Sequence, residues 1–126
     1  MLSEFMTMYG AEIPGSPTTD VHPAVRDLRA DLLDGPHGEA SELREAMLAG
    51  DIVGIADGLA DCLYVLWGTA LTYGLGDVLP AVFAEVHRSN MTKDVARDAV
   101  PGDRKLVKGR GYEPPRIAEI LAVRVG

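Results

Sequence analysis

The chain has 126 residues, with 12 Lys and Arg against 19 Asp and Glu, a formal net charge of −7. That is one domain's worth of chain, and 47% hydrophobic with 25% charged residues is a globular composition, not a disordered one. Its acidity argues against a general nucleic-acid binder. A single cysteine, Cys62, excludes an intrachain disulfide and a Cys-based zinc cluster and fits a reducing, cytoplasmic setting. The longest uninterrupted apolar run is six residues, Cys62 to Trp67, where a membrane span needs roughly 20, and the N-terminus, acidic at Glu4, does not resemble a signal peptide.

Residues 1–21 carry Pro14, Gly15, Ser16, Pro17, Thr18 and Thr19 and read as an arm, helical only in a short turn around Ser3 to Tyr9. From His22 onward Val25, Leu28, Leu32 and Leu33 give helical spacing, with Pro23 in the first turn and a stop at Asp34-Gly35. Pro36 can open a second helix, whose apolar stripe Ala40, Leu43, Met47 runs to Ala49 before a Gly50 cap. Asp51 can cap the next helix, from Ile52 to about Tyr73, the longest and most apolar element of the chain. A further helix should follow Asp77, with Pro80 in its first turn, and reach about Asn90. Residues 91–115 mix glycine and proline with basic side chains and read as a long basic loop, and Arg116 to Val123 can close as a short helix. No internal repeat or linker interrupts the chain. The sum is one all-α domain of the four-helix-bundle type over residues 1–126.

Two carboxylate pairs stand out. Glu39 and Glu42 are three apart and share a helix face; taken alone, they read more readily as a solvated face than as ligands. Asp57 and Asp61 are four apart in the apolar helix, where an uncompensated buried carboxylate costs several kcal/mol. Upstream of residue 88 only Arg26, Arg29 and Arg44 could compensate them. A metal ion is the other solution. The two-residue turn between the helices makes them antiparallel neighbours, so Glu39, Glu42, Asp57 and Asp61 can converge as hard oxygen ligands for Mg²⁺ or Mn²⁺. Cys62 reads as a small core residue, and Tyr64 and Trp67 as packing residues.

Charge is split along the chain. Residues 1–61 hold three basic and twelve acidic residues, whereas Arg88 to Arg110 hold seven basic and three acidic. A basic, glycine-bearing segment after the carboxylates suggests a phosphate-bearing substrate bridged between them, with Arg88, Lys93, Lys105 and Lys108 as phosphate contacts and Ser89, Asn90 and Thr92 as hydrogen-bonding partners. By itself a basic loop in an acidic protein is more often solvated surface. No Walker A loop, GxGxxG turn or nucleophile elbow is present.

Glu39-Ala-Ser-Glu42-Leu followed by Gly58-Leu-Ala-Asp61-Cys-Leu-Tyr64-Val resembles the ExxE and ExxD motifs of MazG-like all-α nucleoside triphosphate pyrophosphohydrolases. Glu85-Val-His-Arg-Ser-Asn-Met-Thr-Lys93, Lys105-Leu-Val-Lys108-Gly, Tyr112 and Pro114-Pro115 resemble a phage and bacterial subgroup related to phosphoribosyl-ATP pyrophosphohydrolase. There is one departure: Gly58 stands where the motif has a glutamate, and Asp57 is the acidic residue beside it. An acidic side chain near a helix N-terminus could also serve only to stabilise the first turns.

The resemblance implies cytoplasmic, metal-dependent hydrolysis of a nucleoside triphosphate between the α and β phosphates, in the host cytoplasm if the chain is phage-encoded. It implies a deoxynucleotide substrate, with dGTP the favoured one, and Glu39 or Glu42 as the base, Glu39 preferred. Lys93, Lys108, Asn90 and Arg88 would hold phosphates, and Tyr9, Trp67 or Tyr112 would stack on the nucleobase. It also implies homodimers or homotetramers, which the apolar long helix independently suggests. The rivals are phosphoribosyl-ATP pyrophosphohydrolase itself, separated by a substrate comparison, and a non-catalytic helical-bundle interaction protein, separated by metal dependence of melting.

Overall fold

The computed structural model describes residues 1–8, 10–96 and 106–125, with side chains to Ala122. The described residues are all-α apart from one two-stranded ribbon. Two compact units divide it, Met1–Gly76 and Asp77–Gly126.

The first unit holds α1 (Leu2–Met8), α2 (Pro23–Asp34), α3 (Glu39–Ala49) and α4 (Ile52–Thr72). His22 caps α2 by accepting a hydrogen bond from the Ala24 N–H at Nδ1, 3.1 Å, and Pro23 follows in the first turn, where its missing N–H costs nothing. Helix α3 begins at Glu39 and not at Pro36. Residues 36–38 turn instead, because the Gly38 N–H bonds back to the Gly35 carbonyl and Gly38 lies against the backbone of Leu33, where a Cβ would come within 2.7 Å of the carbonyl oxygen. The shift puts both Glu39 and Glu42 in the first turn of α3, where the helix dipole favours negative charge.

The α3–α4 junction is the two-residue turn the sequence indicates. Gly50 adopts φ 68°, ψ 26° and its N–H closes the end of α3, a left-handed conformation that glycine enters without Cβ strain. Asp51 caps α4 through Oδ1, which accepts from the Gly54 N–H at 3.0 Å. The two helices pack as an antiparallel hairpin, and both α1 and α2 pack on α4. Helices α3 and α4 come close at buried Gly58, where a Cβ would stand 3.2 Å from Leu43 Cα and Cβ.

The second unit holds α5 (Leu79–Asn90), strands β1 (Asp94–Val95) and β2 (Leu106–Val107), and α6 (Ile117–Val125). The strands pair antiparallel, Asp94 with Val107 and Val95 with Leu106. The basic loop is thus partly a ribbon, and its return leg is tied to α5: Ser89 Oγ donates to the Glu113 carbonyl at 2.7 Å, and the Glu113 N–H donates to Thr92 Oγ1 at 2.9 Å.

Candidate active site

Helices α3 and α4 bring the four carboxylates into one corner of the first unit. Glu39 sits at its centre. It is half-buried, and its Oε2 is fully enclosed with no hydrogen-bond partner among the described residues. Burial, first, and then the charges of Glu42, Asp61 and Asp57 push the Glu39 carboxyl above the ordinary carboxylate range, helped by a hydrogen bond with Glu42 that becomes available when a proton is present. The pKa of the half-buried Cys62 thiol is raised by burial and by the charges of Glu39 and Asp61, which disfavours the thiolate.

The desolvation expected at Asp57 and Asp61 falls largely on Glu39 instead. Asp57 is exposed and Asp61 only half-buried, since much of the apolar surface of α4 is uncovered in a single chain. Asp57 is the sixth residue of α4, beyond the first turn in which a helix dipole acts; the N-terminal role belongs to Asp51. The vacant glutamate position in the ExxD-like segment has a steric cause. Gly58 faces Leu43 at the α3–α4 crossing, so a glutamate side chain there would push the helices apart, whereas Asp57 is exposed.

None of the three upstream arginines neutralises this corner. Arg26 pairs with Asp27 at 2.9 Å, Arg29 lies against α4 further along, and among the described residues neither Arg44 nor any other cation forms an ion pair with the four carboxylates. Among those residues no three His, Cys, Asp or Glu side chains close around one point as ligands do. The carboxylates are neighbours, not a finished cage. Their donor chemistry nonetheless fits a hard divalent cation: four neighbouring carboxylates, burial and then mutual repulsion that raise the proton affinity of Glu39, and an enclosed Glu39 oxygen lacking a hydrogen-bond partner among the described residues.

These residues lie inside a recognisable sequence unit. The family described as phosphoribosyl-ATP pyrophosphohydrolase matches residues 2–90, which contain the arm, α1 to α5 and all four carboxylates. The chain belongs to that family. With the MazG-like proteins, the phosphoribosyl-ATP pyrophosphohydrolase family forms part of the all-α nucleoside triphosphate pyrophosphatase superfamily. The chain is accordingly a pyrophosphohydrolase acting on a nucleotide-like substrate. None of the curated proteins compared is significantly similar to it.

The other candidate residues of this pyrophosphohydrolase divide by environment. Arg88 is engaged internally: Nη2 lies 2.8 Å from Glu85 Oε1, Nε lies 3.0 Å from Oε2, and Nη1 is 3.4 Å from Glu113. Asn90 ends α5 and is exposed. Lys93 and Lys108 occupy the two positions one step beyond the Asp94–Val107 pair, so they are neighbours in register on the ribbon. The Lys108 ammonium lies 5.1 Å from the Tyr112 ring centroid, a cation–π arrangement. Trp67 is partly exposed, and Tyr64 packs edge-on to Phe5 at 5.5 Å. Tyr9 and Lys105 lie outside the described residues. Arg29 belongs to no site the sequence marks; its spacing shows only an ordinary polar position of α2, and its surroundings emerge only from the packing of α2 on α4.

Proposed function

We propose that the chain hydrolyses a deoxynucleoside triphosphate between the α and β phosphates, releasing a nucleoside monophosphate and pyrophosphate, with Mg²⁺ or Mn²⁺ held by Glu39, Glu42, Asp57 and Asp61. The observation that carries this reading is the uncompensated carboxylate corner centred on Glu39. When bound, the divalent ion supplies positive charge to the phosphate oxygens and acidifies a water. Glu39 is the base that takes the proton from the attacking water, since it combines a raised proton affinity with an oxygen lacking any other partner. Glu42, Asp57 and Asp61 would hold the ion together with Glu39. Lys93, Lys108 and Asn90, which belong to the second unit, are the phosphate contacts that the sequence suggests. Arg88 serves first to hold Glu85 and Glu113.

A second reading, phosphoribosyl-ATP as the substrate, is favoured by the description of the matching family. It uses the same carboxylates and cleaves the same kind of bond. Pyrophosphate release measured over all ribo- and deoxynucleoside triphosphates and phosphoribosyl-ATP, with each metal and with chelator, separates the two. Glu42→Ala and Asp61→Ala should each reduce metal-dependent turnover by at least 10²-fold. Retained turnover in either variant would sink the mechanism.

A further inference from the structure

A pocket of about 410 Å³ lies in the first unit between the arm, α2 and α4. None of the four carboxylates lines it. Its inner wall includes buried Met6 and Thr72 and the half-buried guanidinium of Arg29; exposed Glu12 and Asp20 stand at its rim. In a first half of chain that carries three cations against twelve acidic residues, Arg29 forms no ion pair among the described residues. Its one hydrogen bond there is a long one, from Nη1 to the Val65 carbonyl at 3.5 Å. A guanidinium has five N–H donors in a planar fork, so this one, on a residue that lines the pocket, keeps donor capacity beyond that single bond.

The backbone of α4 makes room for that placement. Arg29 lies over Gly68, where a Cβ would come 2.5 Å from Nη1 and 3.4 Å from Cζ. Gly68 is seven residues beyond Asp61, which at 100° and 1.5 Å per residue is nearly the same helix face about 10 Å further along. That is within the span of one nucleotide from its phosphates to the edge of its base.

We propose that this pocket takes the base of the substrate, that the base is guanine, and that Arg29 reads it. Guanine presents two adjacent acceptors, O6 and N7, which a guanidinium fork engages together. Its neighbouring N1–H and N2 amino group are donors suited to the carboxylates of Asp20 or Glu12. Adenine turns an amino donor toward the guanidinium, and thymine separates its two acceptors with an N–H; cytosine has an adjacent pair, O2 and N3, but only one donor group beside it, where guanine has two. The apolar walls contributed by Val25 and Leu28 suit a flat ring. The assignment rests on reading the carboxylate corner as the triphosphate site.

The test compares kcat and KM for dGTP, dATP, dCTP and dTTP in the full chain, alongside calorimetric binding of dGMP. Arg29→Gln removes part of the fork. Gly68→Ala keeps the charge but displaces it, and replacing a mid-helix glycine by alanine favours the helix itself, so its melting temperature should not fall. Both variants should lose about 10- to 100-fold in kcat/KM for dGTP, mainly through KM, with less than threefold change for dATP, and both should weaken dGMP binding. Equal losses with every base, a wild-type preference for another base, or unchanged dGTP kinetics would overturn the assignment. So would an Arg29-dependent preference for phosphoribosyl-ATP, which would make Arg29 a phosphate ligand. Arg29-dependent binding of dGMP without turnover of any nucleotide would uphold the pocket and overturn the proposed reaction instead.

Discussion

At the scale of single residues, Glu39 decides the behaviour of the carboxylate corner. Its pKa is raised in the folded chain, so the fold favours the protonated form. Its stabilising contribution is therefore complete below the unfolded-state value and is lost as pH rises through the folded one. A metal-free protein at neutral pH carries this repulsion, and a bound cation would remove it. Glu39→Gln should raise the melting temperature of the metal-free protein at pH 7.5 while abolishing the upward shift that Mg²⁺ or Mn²⁺ produces in the wild type. That wild-type shift should correspond to about 2.7 kcal/mol at a metal concentration 100 times Kd. Thermal melts in chelator and in metal measure both. A wild-type melting temperature indifferent to metal would remove the ion from the mechanism and favour a purely structural role for the cluster.

At the scale of elements, the segment that leads into α6 is held to α5 by a clasp centred on Glu85. The carboxylate accepts from the Arg88 guanidinium and from the Arg116 N–H at 2.9 Å. These interactions lower its pKa from 4.5 to about 2, the side-chain bond from Arg88 contributing most and the backbone bond next. Because the folded value lies below the unfolded one, the clasp stabilises fully above about pH 4.5 and is lost as pH falls toward 2. Acid unfolding of the wild type should therefore steepen over that interval, and Glu85→Gln should flatten the same limb. Circular dichroism melts at stepped pH read the difference. The arginine that sequence pattern assigns to phosphate is, in the folded chain, first a partner of Glu85 and Glu113.

At the scale of the whole molecule, α4 leaves more apolar surface than a single soluble copy ordinarily exposes. Leu59 is 51% exposed, Leu63 66%, Leu66 49% and Trp67 40%. By length and composition alone Ile52–Thr72 could cross a membrane, which the count of uninterrupted apolar residues did not reveal. Asp57 and Asp61 lie within it, and each charge at the centre of a membrane helix costs about 2.5–3.5 kcal/mol even on the mildest scale. Packing against a second copy would cover the leucines and leave the carboxylates hydrated. Light scattering should accordingly show a dimer or tetramer at micromolar concentrations, and Leu63→Glu should shift it to monomer. A wild-type monomer throughout would contradict this.

Helix order, the Gly50-Asp51 turn and the candidate carboxylates were legible from sequence because each rests on local chemistry: capping, glycine φ, and spacing on one helix face. The start of α3 was not, since it depends on Gly38 meeting the backbone of Leu33. Nor was the burial of individual carboxylates, which follows from what packs above them; apolar neighbours along α4 pointed to Asp57, while tertiary contacts enclosed Glu39. By itself the sequence determined an all-α chain with an acidic half, a basic segment and the motif of a pyrophosphohydrolase family. Only tertiary structure decided which carboxylate lacks a partner, that Gly58 and Gly68 are the places where Leu43 and Arg29 approach α4, and that Arg88 is already paired. Spacing fixes which residues share a face; what that face meets is set by packing between segments far apart in the chain.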